Sequence, residues 1–195
     1  MAFSTLTTAR LILRELFPAD AADVLVFRGD PEVQKYDDPP IHTLQEATDF
    51  IEEMCQACAN QEQQIWAVTR KGNDRVIGLV SLQHPDHRGD RYHRRAEVGY
   101  GLARAMWGHG IASEAVRAVV TYGFTQLKLN RIYARTIADN HRSVRLLEGL
   151  GFAREGTQRQ HSLEDDGRVH DSAMYGLLRS DWGEEPLAGL GVEAN

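Results

Sequence analysis

The chain has 195 residues, with 22 Lys plus Arg against 28 Asp plus Glu, a formal charge of −6 and a hydrophobic share of 42%. That balance argues against general affinity for nucleic acid phosphate, which needs concentrated basic charge, and mildly favours a cationic partner. No stretch approaches the roughly 18 apolar residues of a membrane helix, and Met1-Ala2-Phe3-Ser4-Thr5 has neither a basic region nor a long apolar core, so neither a membrane span nor a secretory signal is expected. The length suits one large domain or two small ones.

In chain order, Leu11-Ile12-Leu13-Arg14-Glu15 is apolar and β-branched enough for a strand. Pro18 suits the first turn of a helix with Ala21, Val24, Leu25 and Phe27 as its apolar positions. Asp37-Asp38-Pro39-Pro40 is a loop. Thr43 then caps a helix running from Leu44 to about Asn60, with Glu46 completing a capping box and Ala47, Phe50, Ile51, Met54 and Cys58 at 3-and-4 spacing. Cys55 and Cys58 form C-x-x-C inside this helix. A redox motif should instead follow a strand, and a zinc site needs a second ligand pair. Two small residues on one helix face, in a cytoplasmic protein, are therefore expected.

Ile65 to Thr69 and Val76 to Leu82 read as a hairpin around Lys71-Gly72-Asn73-Asp74. The loop that follows holds His84, His87 and His93 with Asp86 and Asp90, but its arginines oppose cation binding, and no metal is expected. Strands follow at 96–102 and 131–137, helices at about 111–127 and 141–150, and two more strands at 152–161 and 173–178. Early hairpins with later strand–helix–strand crossovers make a mixed sheet with helices on its faces. The Gly-, Glu- and Ala-rich segment 183–195 reads as a tail outside the core, leaving 1–182 as the domain.

The stretch Trp107-Gly108-His109-Gly110-Ile111-Ala112-Ser113-Glu114-Ala115 lies between a strand and an amphipathic helix. Two glycines one residue apart let the backbone approach a ligand, and the helix start offers unpaired N–H groups and a positive dipole end. Together these make an anion site suited to phosphates. A nucleotide triphosphate loop would need a Lys before Ser113, and a dinucleotide fingerprint needs a third small residue and a downstream acid. The pyrophosphate loop of coenzyme A acyltransferases is a third competing reading. Asn140-His141-Arg142-Ser143 stands at a strand end and helix start, where Asn140 can cap the helix, and Gly151 is a natural left-handed stop.

These segments resemble the GCN5-related N-acetyltransferase (GNAT) superfamily, more closely its Rim-type, ribosomal-protein alanine N-acetyltransferase-like branch. The resemblance covers about residues 7–182. It is carried by Thr8-Ala9-Arg10-Leu11, Glu97-Val98-Gly99-Tyr100, Trp107 to Ala115, Asn140-x-x-Ser143, Gly151-Phe152, Asp171 and Tyr175 to Trp182. It implies a mostly antiparallel seven-stranded sheet that splays between its fourth and fifth strands, with acetyl-CoA in the gap. The backbone at Leu102 would pair with the pantetheine arm, the amides of Gly108, His109, Gly110, Ile111 and Ala112 beside Trp107 would hold the pyrophosphate, and Asn140 would bond the pantetheine. Ser143 would lie near the thioester or bind the cofactor. Many relatives place a proton-donating tyrosine where this chain has Leu147, so the acid is another group or water, with Ser143 the candidate.

The implied reaction is acetyl transfer to a primary amine, a protein N-terminal amine or a small amine, by direct attack in a ternary complex. A base must take a proton from the amine. Glu97 is the first candidate and His161 the second. Tyr36, Asp37 and Asp38 lie where relatives shape the acceptor mouth. The resemblance also allows a homodimer, a longer acyl-CoA donor, or a module that binds acetyl-CoA without turning it over.

Overall fold

The computed structural model describes residues 3–83, 94–163, 167–183 and 190–194. The histidine and aspartate loop at 84–93 lies outside the described residues, as do 164–166 and 184–189. Strands β1 (Ser4–Thr7) and β2 (Leu11–Arg14) are followed by helices α1 (Ala21–Arg28) and α2 (Leu44–Ala59). The hairpin β3 (Gln63–Arg70) and β4 (Asn73–Gln83) comes next, then β5 (Arg95–Leu102), α3 (Ile111–Thr125), β6 (Arg131–Ile137) and α4 (His141–Gly149). The chain ends with β7 (Ala153–Leu163), β8 (Val169–Leu178), the single turn α5 (Arg179–Trp182) and β9 (Gly191–Ala194).

These strands make one sheet in the order β7-β8-β6-β5-β4-β3-β2-β1-β9. Among the described residues β5 and β6 are its one parallel pair, because α3 carries the chain back across the sheet between them. The sheet has nine strands rather than seven. β1 and β9 escape sequence reading because each is only four residues long, too short for a hydrophobic period to stand out; β9 is the edge strand and β1 lies between it and β2. β9 pairs with β1 from Ser4↔Ala194 to Thr7↔Gly191. The end of the tail therefore extends the sheet, while Gly191, Val192 and Glu193 stay exposed, outside the core.

Period-two alternation sends successive side chains to opposite faces and divides the core. Trp66 and Val68 of β3 join α3 and α4 on one face, whereas Ile65 and Ala67 join α1 and α2 on the other. Thr43 Oγ1 accepts from the Glu46 N–H at 3.1 Å, as the cap pattern expects. The Glu46 carboxylate accepts in turn from the His42 N–H at 2.6 Å.

The β5–β6 register begins at Arg95↔Arg131 and ends at Glu97↔Tyr133. Each strand nevertheless stays bound on its outer side: β5 to β4 as far as Leu102, and β6 to β8 as far as Ile137. The two strands thus diverge while remaining rigid, which opens a wedge in the middle of the sheet.

Candidate active site

A cavity of about 900 Å³ fills this wedge. Its walls come from Val98–Leu102 of β5, residues 134–136 of β6, the loop before α3 and the first turn of α4. Trp107 donates its indole N–H to the Leu102 carbonyl at 3.0 Å, fastening the loop to the end of β5. The Arg142 guanidinium lies 4.2 Å over the Trp107 ring and brings positive charge to the same wall.

Gly108 and Gly110 have φ of +76° and +71°, a left-handed conformation that a side chain disfavours. Gly110 is also the N-cap of α3, and no side chain caps that helix. The first-turn N–H groups of α3 therefore face the cavity with their dipole end uncapped, which fits a phosphate-bearing ligand. Glu114 in that turn is engaged elsewhere: it accepts from Thr8 Oγ1 at 2.6 Å and from Arg10 Nε at 2.6 Å. Burial works against its ionisation, but the Thr8 and Arg10 donors outweigh burial and hold the carboxyl below its usual range.

At the other end of the wedge, Asn140 caps α4 by accepting from the Ser143 N–H at 3.3 Å. Ser143 Oγ and the Tyr100 hydroxyl share a hydrogen bond of 2.7 Å across the gap. Burial pushes the Tyr100 phenol up to about 12, against the pull of the Ser143 bond, so both hydroxyls stay protonated at neutral pH. Leu147 is fully buried in the core, so a tyrosine-like donor has no counterpart there.

A second cavity of about 680 Å³ meets the first at Gly99, Tyr100 and Gly101, on the side covered by α1 and α2. Among the described residues, Glu97 lines it with Asp37, Asp38 and Glu62 against the single cation Arg28. Arg28 stands 3.6 Å from Asp37 and 3.4 Å from Asp38 and packs on Phe50 at 4.7 Å. Among the described residues the lining keeps a negative surplus, which suits a cationic guest.

Leu102, Trp107, Gly108, Gly110, Ile111, Ala112, Asn140 and Ser143 thus gather round the first cavity. His109 does not line it. Its carbonyl turns away to accept from Arg10 Nη1 at 2.9 Å. Glu97 stands in the second cavity, and His161 lines neither: it is exposed on β7 with Nε2 3.1 Å from Arg135 Nη1. Tyr36 lines the first cavity, Asp37 both and Asp38 the second.

Reading the sequence quoted Tyr100 and Arg10 only as marks of the resemblance, without a functional role for either side chain, and missed Arg28 entirely. The partners of Tyr100 and Arg10 lie 43 and 104 residues away along the chain, beyond any local pattern. Cys55 and Cys58 are free thiols on α2, both pushed up by burial. Among the described residues no group of three His, Cys, Asp or Glu could hold a metal ion.

The profile of the Acetyltransferase (GNAT) domain matches residues 10–153. The chain is 36% identical over 179 residues to an uncharacterized N-acetyltransferase, p20, of Bacillus licheniformis, covering 91% of this chain and 98% of that one. It is 37% identical over 107 residues to YdaF of Bacillus subtilis, named as a ribosomal N-acetyltransferase, covering 55% and 56%. In fold it is similar to spermidine N-acetyltransferase from Vibrio cholerae in complex with CoA and spermine, with a TM-score of 0.76 and 24% identity over 90% of this chain and 99% of that one. The wedge in the sheet, the uncapped glycine loop and these likenesses agree: the chain belongs to the GNAT acetyltransferases and is an N-acetyltransferase enzyme.

Proposed function

We propose that the protein transfers an acetyl group from acetyl-CoA to a primary amine by direct attack in a ternary complex. The observation that carries this reading is the pair of cavities meeting at Gly99–Gly101: one is walled by an uncapped helix start, the other by carboxylates. Donor and acceptor can enter from opposite faces of the sheet and meet where β5 and β6 part. Holding two reactants in that geometry supplies much of the acceleration.

When bound, acetyl-CoA supplies the activated acyl group. The amides of Gly108 to Ala112 would hold its pyrophosphate, and the β5 backbone at Leu102 would run beside its pantetheine arm with Asn140 opposite. Among the described residues, the β5 backbone groups that face β6 beyond Glu97 have no strand partner, so they are ready donors for charge developing on the acyl oxygen. Glu97 takes a proton from the ammonium acceptor, directly or through water. Ser143, steadied by Tyr100, gives a proton to the leaving sulfur and regains one from the nitrogen of the tetrahedral adduct, directly or through water. The bond formed is N–C and the bond broken is C–S, with no acyl-enzyme between them.

The negative lining of the second cavity supports a cationic amine, either a peptide N-terminus or a small amine. The name of YdaF points to the first, and the spermine complex to the second. Steady-state thiol release across N-terminal peptides and small amines tests this reading. Release that depends on an amine supports it, and release indifferent to every amine contradicts it. Acetyl-CoA binding with no release on any amine would favour a module that binds without turnover.

A further inference from the structure

We infer that Arg10 is a positioning residue for the coenzyme A loop, acting through Glu114 and the His109 carbonyl rather than by touching the ligand. The inference rests on the proposal that the loop at 108–112 holds the cofactor's phosphates.

Three donors from the β1–β2 turn converge on one carboxylate. Glu114 Oε1 accepts from Thr8 Oγ1 at 2.6 Å and from the Arg10 backbone N–H at 2.9 Å, and Oε2 accepts from Arg10 Nε at 2.6 Å. The same guanidinium donates from Nη1 to the His109 carbonyl at 2.9 Å, in the middle of the loop. A Cβ added to Gly110 would lie 3.5 Å from Arg10 Nη2, so the guanidinium packs against the loop's second glycine. The turn is itself anchored, because the Arg10 carbonyl accepts from the Lys71 N–H at 3.0 Å. Arg10 does not line the cavity, and its side chain is half exposed.

Two consequences follow from elementary electrostatics. A free carboxylate in the first turn of α3 would compete with an incoming phosphate for the positive helix end. The three donors occupy Glu114, and the guanidinium neutralises it. The Nη1 bond turns the His109 carbonyl outward, so the loop presents amides rather than a carbonyl oxygen to the cavity. Both effects serve only a ligand that carries phosphate on this loop.

The test compares acetyl-CoA with S-acetylpantetheine, which has the reacting end without the nucleotide phosphates, on wild type, Arg10→Ala, Arg10→Lys and Glu114→Gln. Melting temperatures establish that each variant is folded. The expected result for Arg10→Ala is a Kd and KM for acetyl-CoA raised about tenfold, with kcat, the acceptor KM and the use of S-acetylpantetheine unchanged. Arg10→Lys recovers part of the loss, because an ammonium restores the charge but cannot reach both acceptors. Arg10→Ala that binds acetyl-CoA as wild type does overturns the inference. So does an equal loss toward both donors, which would mark a general effect on folding. Wild type that fails to bind acetyl-CoA at all would instead refute the functional reading beneath it, with the variants irrelevant.

Discussion

Ser143→Ala separates chemistry from stability cleanly. The cap on α4 uses the Ser143 backbone N–H, which the substitution keeps. Alanine is the better helix former by about 0.5 kcal/mol. Against that, the Tyr100 hydroxyl loses a partner across 2.7 Å, which costs about 1 kcal/mol. The two nearly cancel, so Tm should move by no more than about 2–4 °C in a chain of this size. The proton donor itself contributes about 10²–10⁴ in rate. Thiol release at neutral pH should therefore fall at least 100-fold while acetyl-CoA binding is retained. The defect should shrink above a pH of about 8.5, where an alkyl thiol leaves readily as the thiolate. A variant within about threefold of wild type at neutral pH would refute Ser143 as the acid. A defect of constant size across that pH range would refute its role in protonating sulfur.

Glu97→Gln should lower kcat by about 100-fold at neutral pH, with acetyl-CoA affinity by calorimetry unchanged, since Glu97 lines only the acceptor cavity. Trp107→Phe removes the indole bond to the Leu102 carbonyl; the KM for acetyl-CoA should rise about three- to tenfold, read in the same assay. Trp66→Phe deletes a fully buried indole N–H that donates to the Ser4 carbonyl at 2.8 Å, and should cost about 1–3 kcal/mol in denaturant unfolding. Glu114 and Glu155 both titrate below the usual carboxylate value in the folded chain, Glu155 because it bonds Arg131. Their stabilisation is complete above the unfolded value of about 4.3 and is lost as pH falls through the lower folded values. Melting followed from neutral pH into acid should show that loss, and Glu155→Gln should make the acid slope shallower.

The parts of this molecule that were legible in the sequence are those written in consecutive residues. The α2 cap at Thr43, the α4 cap at Asn140 and the left-handed stop at Gly151, where φ is +87°, each rest on a few neighbouring positions. The glycine loop before α3 is likewise local. The C-terminal marks of the resemblance turn out to do packing work: the Tyr175 hydroxyl donates to Glu148 at 3.1 Å, and Trp182 stacks on Phe124 and Arg117. What stayed hidden depends on residues that meet only after folding. The Tyr100–Ser143 bond crosses the wedge, and the clamp of Thr8 and Arg10 on Glu114 joins the two ends of the first core face. Glu97 and Tyr100, three apart on β5, take opposite faces as strict alternation requires, Glu97 lining the acceptor cavity and Tyr100 packing on the α3/α4 core where it bonds Ser143. The four-residue strands β1 and β9 are the same lesson in backbone form, since so short a segment gives little side-chain signature beside its main-chain pairing.

The central claim is that the wedge between β5 and β6 holds acetyl-CoA for transfer to an amine. Thermal melting with acetyl-CoA at about 100 times its Kd, followed by amine-dependent thiol release on the same sample, tests it most directly. Binding of that strength adds about 2.7 kcal/mol, which raises Tm by about 5–10 °C in a chain of this size. The predicted result is that rise together with thiol release that requires an amine. An unchanged Tm, with no release on any amine, would contradict it.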